Sequence, residues 1–241
     1  MKDSDKFLCE GIEILRESDE ELNRLISARS NKILSLLAVY INEIELFNRA
    51  YGLVGTEDRQ ELIIKHILDS LSPAGIISRL LTEKNIGINI DSHHGKGIKI
   101  ADAGSGAGLP GIPLAAAMPS SHFTLIERMG RRAGFLLNTI AALSLSNITV
   151  TENELEKTNG SFDLITFRAF KPLEPKLFKT LRKLCAPSGI IAAYKGKREK
   201  IEMEITAMKA NNKQKIAWDW EIIPYTVPFL NEERHLLVIR F

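Results

Sequence analysis

The 241-residue chain is 44% hydrophobic and 26% charged, which is enough for one main domain with an extension but not for two full-sized domains. No apolar run approaches the roughly 18 residues of a membrane span, no apolar stretch follows the charged start MKDSDK, and Cys9 and Cys185 belong to no CxxC pair. A cytoplasmic protein without membrane contact, disulfide framework or zinc site is expected. Its formal net charge of +2 is unevenly spread: residues 1–94 carry 11 Lys+Arg against 16 Asp+Glu, and residues 95–241 carry 21 against 14.

In chain order, Asp5 to Ile26 reads as helical. From Ser30 to Ala50 the residues Ile33, Leu36, Leu37, Tyr40, Ile41, Ile44 and Phe47 recur at spacings of three and four, so one stripe of a helix faces a core. Further helices are expected over 57–71 and 73–82, which makes residues 1–84 an all-helical extension. The polar, glycine-bearing stretch 85–97 reads as a linker, and its adjacent His93 and His94 face different ways, which argues against a metal site. From 98 onward strands and helices alternate, with strands at 98–103, 122–126, 147–151, 162–167 and 189–194 and helices at 111–118, 129–143, 172–184 and 197–210. That alternation predicts a largely parallel sheet covered on both faces. The tail, 216–227 and 234–241, reads as an antiparallel pair at the sheet edge.

Ile98 to Met118, IKIADAGSGAGLPGIPLAAAM, runs from a strand through a glycine cluster into a helix. Asp102 stands at the strand's carboxyl end, where open α/β sheets bind ligands, and Gly104, Gly106 and Gly108, having no Cβ, let backbone approach a ligand closely, with Ser105 among them as a further binding candidate. A turn that only packs strand against helix explains two of the glycines; the others need a ligand. Gly106, Gly108 and Gly111 satisfy the dinucleotide pattern GxGxxG, with Glu127 near the position of a ribose-binding acid, so a nicotinamide-dependent oxidoreductase is one reading. Pro110 and Pro113 remove amide donors that a pyrophosphate would need, which favours a ligand without phosphate, S-adenosylmethionine being the common one. No second mononucleotide-binding half follows, and the ending matches a seven-stranded, Rossmann-like class I methyltransferase sheet.

Basic side chains cluster at Arg128, Arg131 and Arg132, at Lys171, Lys176, Lys179, Arg182 and Lys183, and at Lys195, Lys197, Arg198 and Lys200. Such groups attract a polyanion through Coulomb forces and counterion release, although a solvated helix face explains many lysine-rich helices. A cofactor-binding fold turned non-catalytic RNA-binding module therefore stands as a third reading.

The segments DAGSGAGLPGIPLA, LIERMGRRAGFL, FDLITFRAF, ERHLLVI and KHILDS, in this order-specific set, resemble the RsmG (GidB) family from about Leu46 to the carboxyl terminus. The family's YNLT-like segment corresponds to YGLVG here, with Gly52 in place of asparagine. The resemblance implies methylation of N7 of a guanosine in bacterial 16S ribosomal RNA, with S-adenosyl-L-methionine as cofactor and naked RNA or the assembling small subunit as partner. A monomer is expected. Carried over, the family's cofactor contacts fall on Gly104, Leu109, Leu155, Glu156 and Arg168, beside Glu127, whose carboxylate can accept from ribose hydroxyls. On the RNA side, His66, Asp69 and Ser70 of KHILDS double as possible helix caps, and Arg234 and His235, which lie near the cleft in the family, double as edge-strand charges. Guanine N7 offers an in-plane lone pair and carries no proton, so no general base is expected and the catalytic work is orientation. Without an aromatic stacking platform, the choice of guanosine is expected to come from RNA shape.

Overall fold

The computed structural model describes residues 5–84, 97–169, 172–210 and 217–241. Nearly all of the expected linker, with His93 and His94, lies outside the described residues, as does Lys171. Among those described, a seven-stranded sheet has the order β3-β2-β1-β4-β5-β7-β6. The strands are β1 (Lys99–Ala103), β2 (His122–Glu127), β3 (Ile148–Glu152), β4 (Phe162–Arg168), β5 (Cys185–Lys195), β6 (Asp219–Tyr225) and β7 (Arg234–Arg240). The first five pair in parallel, and β7 pairs antiparallel with both β5 and β6. This is the class I methyltransferase arrangement that the sequence led us to expect. The antiparallel pair stands at one edge of the sheet, as expected, with β6 outermost and β7 between β5 and β6.

Both faces of the sheet are covered, and strand period decides which residue meets which cover. Ile100, Phe123, Leu125, Leu164, Ile190, Ala192 and Leu236 belong to one apolar cluster, which also holds Leu8, Leu37, Tyr40, Ile44 and Leu68 from the amino-terminal helices. Their neighbours Ala101, Ile126, Ile165, Phe167, Ile191, Ala193 and Leu237 belong to a second cluster with Leu177, Leu181, Ile201 and Ile205. Continuing the alternation to the carboxyl ends, Asp102, Arg168 and Tyr194 fall on the first face, while Phe167 and Lys195 fall on the second.

The helices are α1 (Asp5–Ser18), α2 (Glu20–Ile26), α3 (Ser30–Tyr51), α4 (Arg59–Leu62), α5 (Asp69–Leu71), α6 (Ala74–Lys84), α7 (Gly111–Ala117), α8 (Gly130–Leu143), α9 (Pro175–Leu184) and α10 (Arg198–Ala210). The expected helix over 5–26 is interrupted at Asp19, whose side chain accepts from Leu22 N–H at 3.0 Å and caps α2. Gly52 ends α3 in the left-handed conformation, φ 58°, a geometry that asparagine also tolerates. The expected helix over 57–71 contains a π-helical segment, Ile63–Leu68, between α4 and α5. Helix α9 starts later than the sequence suggested, with Pro175 supplying its first turn, where a missing N–H costs nothing.

Candidate active site

The glycine loop folds back over the ends of β1 and β2. Gly104 and Ser105 N–H both donate to Ile126 O, at 2.9 and 3.1 Å. Gly104, Gly106 and Gly108 have φ of 71°, 57° and 93°. A Cβ on Gly108 would lie 2.5 Å from Ile112, and one on Gly111 would lie 2.4 Å from Leu125, so these two glycines serve strand-to-helix packing. At Gly106 a Cβ would approach nothing closer than 3.9 Å. The loop is open there and not filled by the protein's own packing.

Glu127 borders that opening. One carboxylate oxygen accepts Gly106 N–H at 3.0 Å and the other accepts Met129 N–H at 2.8 Å, and each retains a lone pair. Asp102 lies beneath the loop, fully buried, where Oδ2 accepts Gly111 N–H at 3.0 Å; its other oxygen has no hydrogen-bond partner. Burial raises its pKa to about 7. Asp102 therefore shapes the loop from below and does not reach its surface. Ser105 is likewise buried, its hydroxyl donating to Asp102 O at 2.9 Å. Leu109 and Leu155 are buried apolar groups, and Glu156 is exposed in a single 3-10 turn, Leu155–Lys157.

Beside the loop, residues distant in sequence meet in one polar cluster. Arg168, ending β4, donates to Lys65 O at 2.8 Å, to Asp69 Oδ2 at 3.1 Å and to His66 Nδ1 at 2.9 Å. A guanidinium has no acceptor, so Nδ1 of His66 is the accepting nitrogen. Burial, followed by the Arg168 charge, lowers the His66 pKa to about 4, and the ring is neutral at neutral pH. Asp69 Oδ1 accepts Tyr225 OH at 2.9 Å and lies 3.5 Å from Arg234 Nε. Tyr194 OH donates to Ser70 O at 2.9 Å, and Tyr40 OH donates to Ala107 O at 2.7 Å, tying α3 to the glycine loop. Burial pushes all three phenols well above their ordinary pKa.

Several sequence expectations change here. Asp69 and Ser70 are not helix caps: Asp69 bonds across to the sheet, and the fully buried Ser70 hydroxyl donates back to His66 O at 2.6 Å. His235 is buried, donates to Gly196 O at 2.6 Å and lies on an internal strand, so neither RNA contact nor edge protection describes it. Arg132 donates to Gly52 O at 2.6 Å, joining α8 to the end of α3. Lys195 is held by Glu204 at 2.7 and 2.9 Å. Arg198 is half exposed and reaches Glu202 at 3.3 Å, while Arg128, Arg131 and Lys197 are exposed. Tyr40, Tyr194, Tyr225 and Glu204 were missed by sequence reasoning. As apolar-stripe, strand or helix-face residues they carried no local signal of a site.

A cleft of about 1400 Å³ opens over the carboxyl ends of β4 and β5 rather than over the glycine loop itself. Arg168 and Tyr194 face it from one side of the sheet, Phe167 and Lys195 from the other, and Lys197, Lys200 and Arg234 stand around it. The two regions adjoin, since Asp102 under the loop pairs in register with Thr166, two residues before Arg168 on the neighbouring strand.

Comparison with known proteins gives a consistent result. The sequence profile described as "rRNA small subunit methyltransferase G" matches residues 33–237. A protein of Treponema denticola named ribosomal RNA small subunit methyltransferase G is 36% identical, covering 98% of each chain. One of Treponema pallidum (strain Nichols) with the same name is 39% identical over 91% of each. A solved SAM-dependent methyltransferase from Aquifex aeolicus superposes with a TM-score of 0.48 at 15% identity, covering 68% of this chain and 89% of that one. With a profile match across most of its length and relatives above 30% identity over nearly all of it, this chain belongs to the rRNA small subunit methyltransferase G (GidB) family.

Proposed function

We infer that this chain transfers a methyl group from S-adenosylmethionine to N7 of a guanosine in bacterial 16S ribosomal RNA. The observation that carries this reading is the pairing, along one edge of the sheet, of an open glycine loop with a cleft whose lining includes the exposed Lys197 and Lys200 within an otherwise mixed set of basic and acidic groups. The residues present suit the cofactor. Gly106 offers backbone without a side chain, Glu127 offers acceptors for ribose hydroxyls, and Leu109 and Leu155 offer apolar contact; Gly104, Ser105 and Asp102 fix the loop. Glu156, exposed in the turn Leu155–Lys157, is free to make a polar contact with the cofactor. Bound there, the cofactor supplies an already activated sulfonium methyl group.

Since N7 carries no proton, the protein's task is to hold the base with N7 in line with the methyl group, about 3 to 3.5 Å away, and no side chain needs to act as general base. Arg168, held by Asp69 and His66, sits between loop and cleft and sets their mutual position. Lys197, Lys200, Arg234, Arg128 and Arg131 face the phosphates, on a small subunit still assembling in the cytoplasm, with the protein acting as a monomer. No helix among the described residues is long and apolar enough to cross a membrane.

The test is incorporation of labelled methyl from S-adenosylmethionine into small subunits from cells lacking this protein, with the modified nucleotide mapped. Gly104→Asp is expected to abolish incorporation. Absence of transfer by the wild type, or calorimetric binding of NADH but not of S-adenosylmethionine, overturns the reading.

A further inference from the structure

The second face of the sheet contributes an ion pair to the cleft that the reaction as described does not use. Lys195, the last residue of β5, and Glu204, on α10, are joined through both carboxylate oxygens at 2.9 and 2.7 Å, and each side chain is only 16% exposed. Glu204 Oε1 also accepts Leu173 N–H, fixing the carboxylate to the segment before α9. The ammonium stands 5.8 Å from the centre of the Phe167 ring, and the surrounding cleft wall is apolar, formed by Leu173, Ile201 and Met208. A buried ion pair adds little net stability, because desolvation offsets most of its attraction. Lining an open cleft, the pair is accessible to a ligand.

From this arrangement we propose that Lys195 and Glu204 together read the Watson–Crick edge of the target guanine. The proposal rests on the methyltransferase reading above. Guanine presents along that edge one acceptor, O6, beside two donors, N1–H and the 2-amino group. An ammonium beside a carboxylate offers the complementary set: Lys195 donates to O6, and Glu204 Oε2, the oxygen with a lone pair left uncommitted, accepts from N1–H and N2–H together. Adenine presents a donor at position 6 and an acceptor at N1, and meets like against like. The cost of rejecting such a base is that of leaving buried polar groups unpaired, which discriminates more strongly than apolar fit. With the Watson–Crick edge on this pair, N7 lies on a different edge of the ring and is left free for methylation. RNA shape then selects the position, while the pair selects the base.

The experiment uses reconstituted small subunits whose RNA carries either guanosine or inosine, which lacks the 2-amino group, at the nucleotide that the wild type methylates. Wild type and Glu204→Gln are compared on both, together with S-adenosylmethionine binding by calorimetry and thermal unfolding. For the wild type, inosine is expected to lower kcat/KM on the order of tenfold or more. Glu204→Gln is expected to lower kcat/KM on guanosine and to show a much smaller inosine penalty, with cofactor affinity unchanged. An equal inosine penalty in both proteins, or none in the wild type, overturns the proposal. Equal loss of cofactor binding or a large drop in Tm in the variant assigns Glu204 a purely structural role and also overturns it. If the wild type methylates neither subunit, the functional reading itself has failed, which is a separate outcome.

Discussion

At the scale of single residues, two neighbouring glycines are distinguished by what surrounds them. A Cβ at Gly111 would come within 2.4 Å of Leu125 and 2.7 Å of Asp102 Oδ2, so Gly111→Ala is expected to cost about 1–3 kcal/mol in urea denaturation through overpacking. Gly106 has open space, and Gly106→Asp is expected to unfold close to the wild-type midpoint, apart from about 1–2 kcal/mol of left-handed strain, while losing S-adenosylmethionine binding in calorimetry. His66 provides a pH test. Its folded pKa, about 4, lies below the ordinary 6.5, so its contribution to stability is complete above pH 6.5 and is lost as pH falls toward 4. Asp102, raised from 3.8 to about 7, acts oppositely: its contribution is complete below its ordinary value and is lost as pH rises through 7. Wild type must therefore be compared with His66→Gln rather than judged alone. The two unfolding free energies are expected to lie on the order of 2 kcal/mol closer at about pH 4.5 than at about pH 7.5.

At the scale of elements, the π-helical segment Ile63–Leu68 and the short α5 carry His66 and Asp69 to the ends of β4, β6 and β7. A widened turn of this kind re-aims side chains within a helix and is frequent at functional sites. Asp69→Ala removes the carboxylate between Arg168 and Arg234 and is expected to destabilise by about 3 kcal/mol or more. Asp69→Asn, which still accepts from Tyr225, is expected to cost less; denaturant titration of both variants decides. Elements of this kind mark the limit of what the sequence discloses. The apolar stripe of α3, the alternation from β1 to β5 and the glycine loop are all local patterns, and each was legible with ends displaced by a few residues. The polar cluster was legible only as separate pieces. Asp69 and Tyr225 are 156 residues apart, and no local period states that they meet. The π turn has no propensity signature distinct from a helix, and the position of β7 inside the sheet depends on pairing across the molecule. Glu204 carries no local sign of a site, because its partner Lys195 comes from a strand end.

At the scale of the whole molecule, the basic excess lies beyond residue 95, with Lys195, Lys197, Lys200 and Arg234 at the cleft, whereas the chain before it carries the acidic excess. Affinity for RNA is expected to fall steeply with salt, and replacing the exposed Arg131 or Lys197 by Ala should each reduce the log–log salt slope by about one unit without changing which nucleotide is modified. Filter binding over a salt series measures the slope; an unchanged slope for both variants excludes them from the phosphate contacts. The sheet order has a consequence for biosynthesis. Among the described residues β6 pairs with β7 alone, and β7 joins it to β5, so Asp219–Tyr225 is synthesised before its partner strand exists. While a nascent chain is being extended, the five parallel strands can close around their helices, but the Asp69–Tyr225–Arg234 contact and one wall of the cleft must wait until Arg234–Arg240 has been delivered and threaded into the gap. The cleft over β4 and β5 is thus finished later than the glycine loop, whose strands pair before β7 arrives.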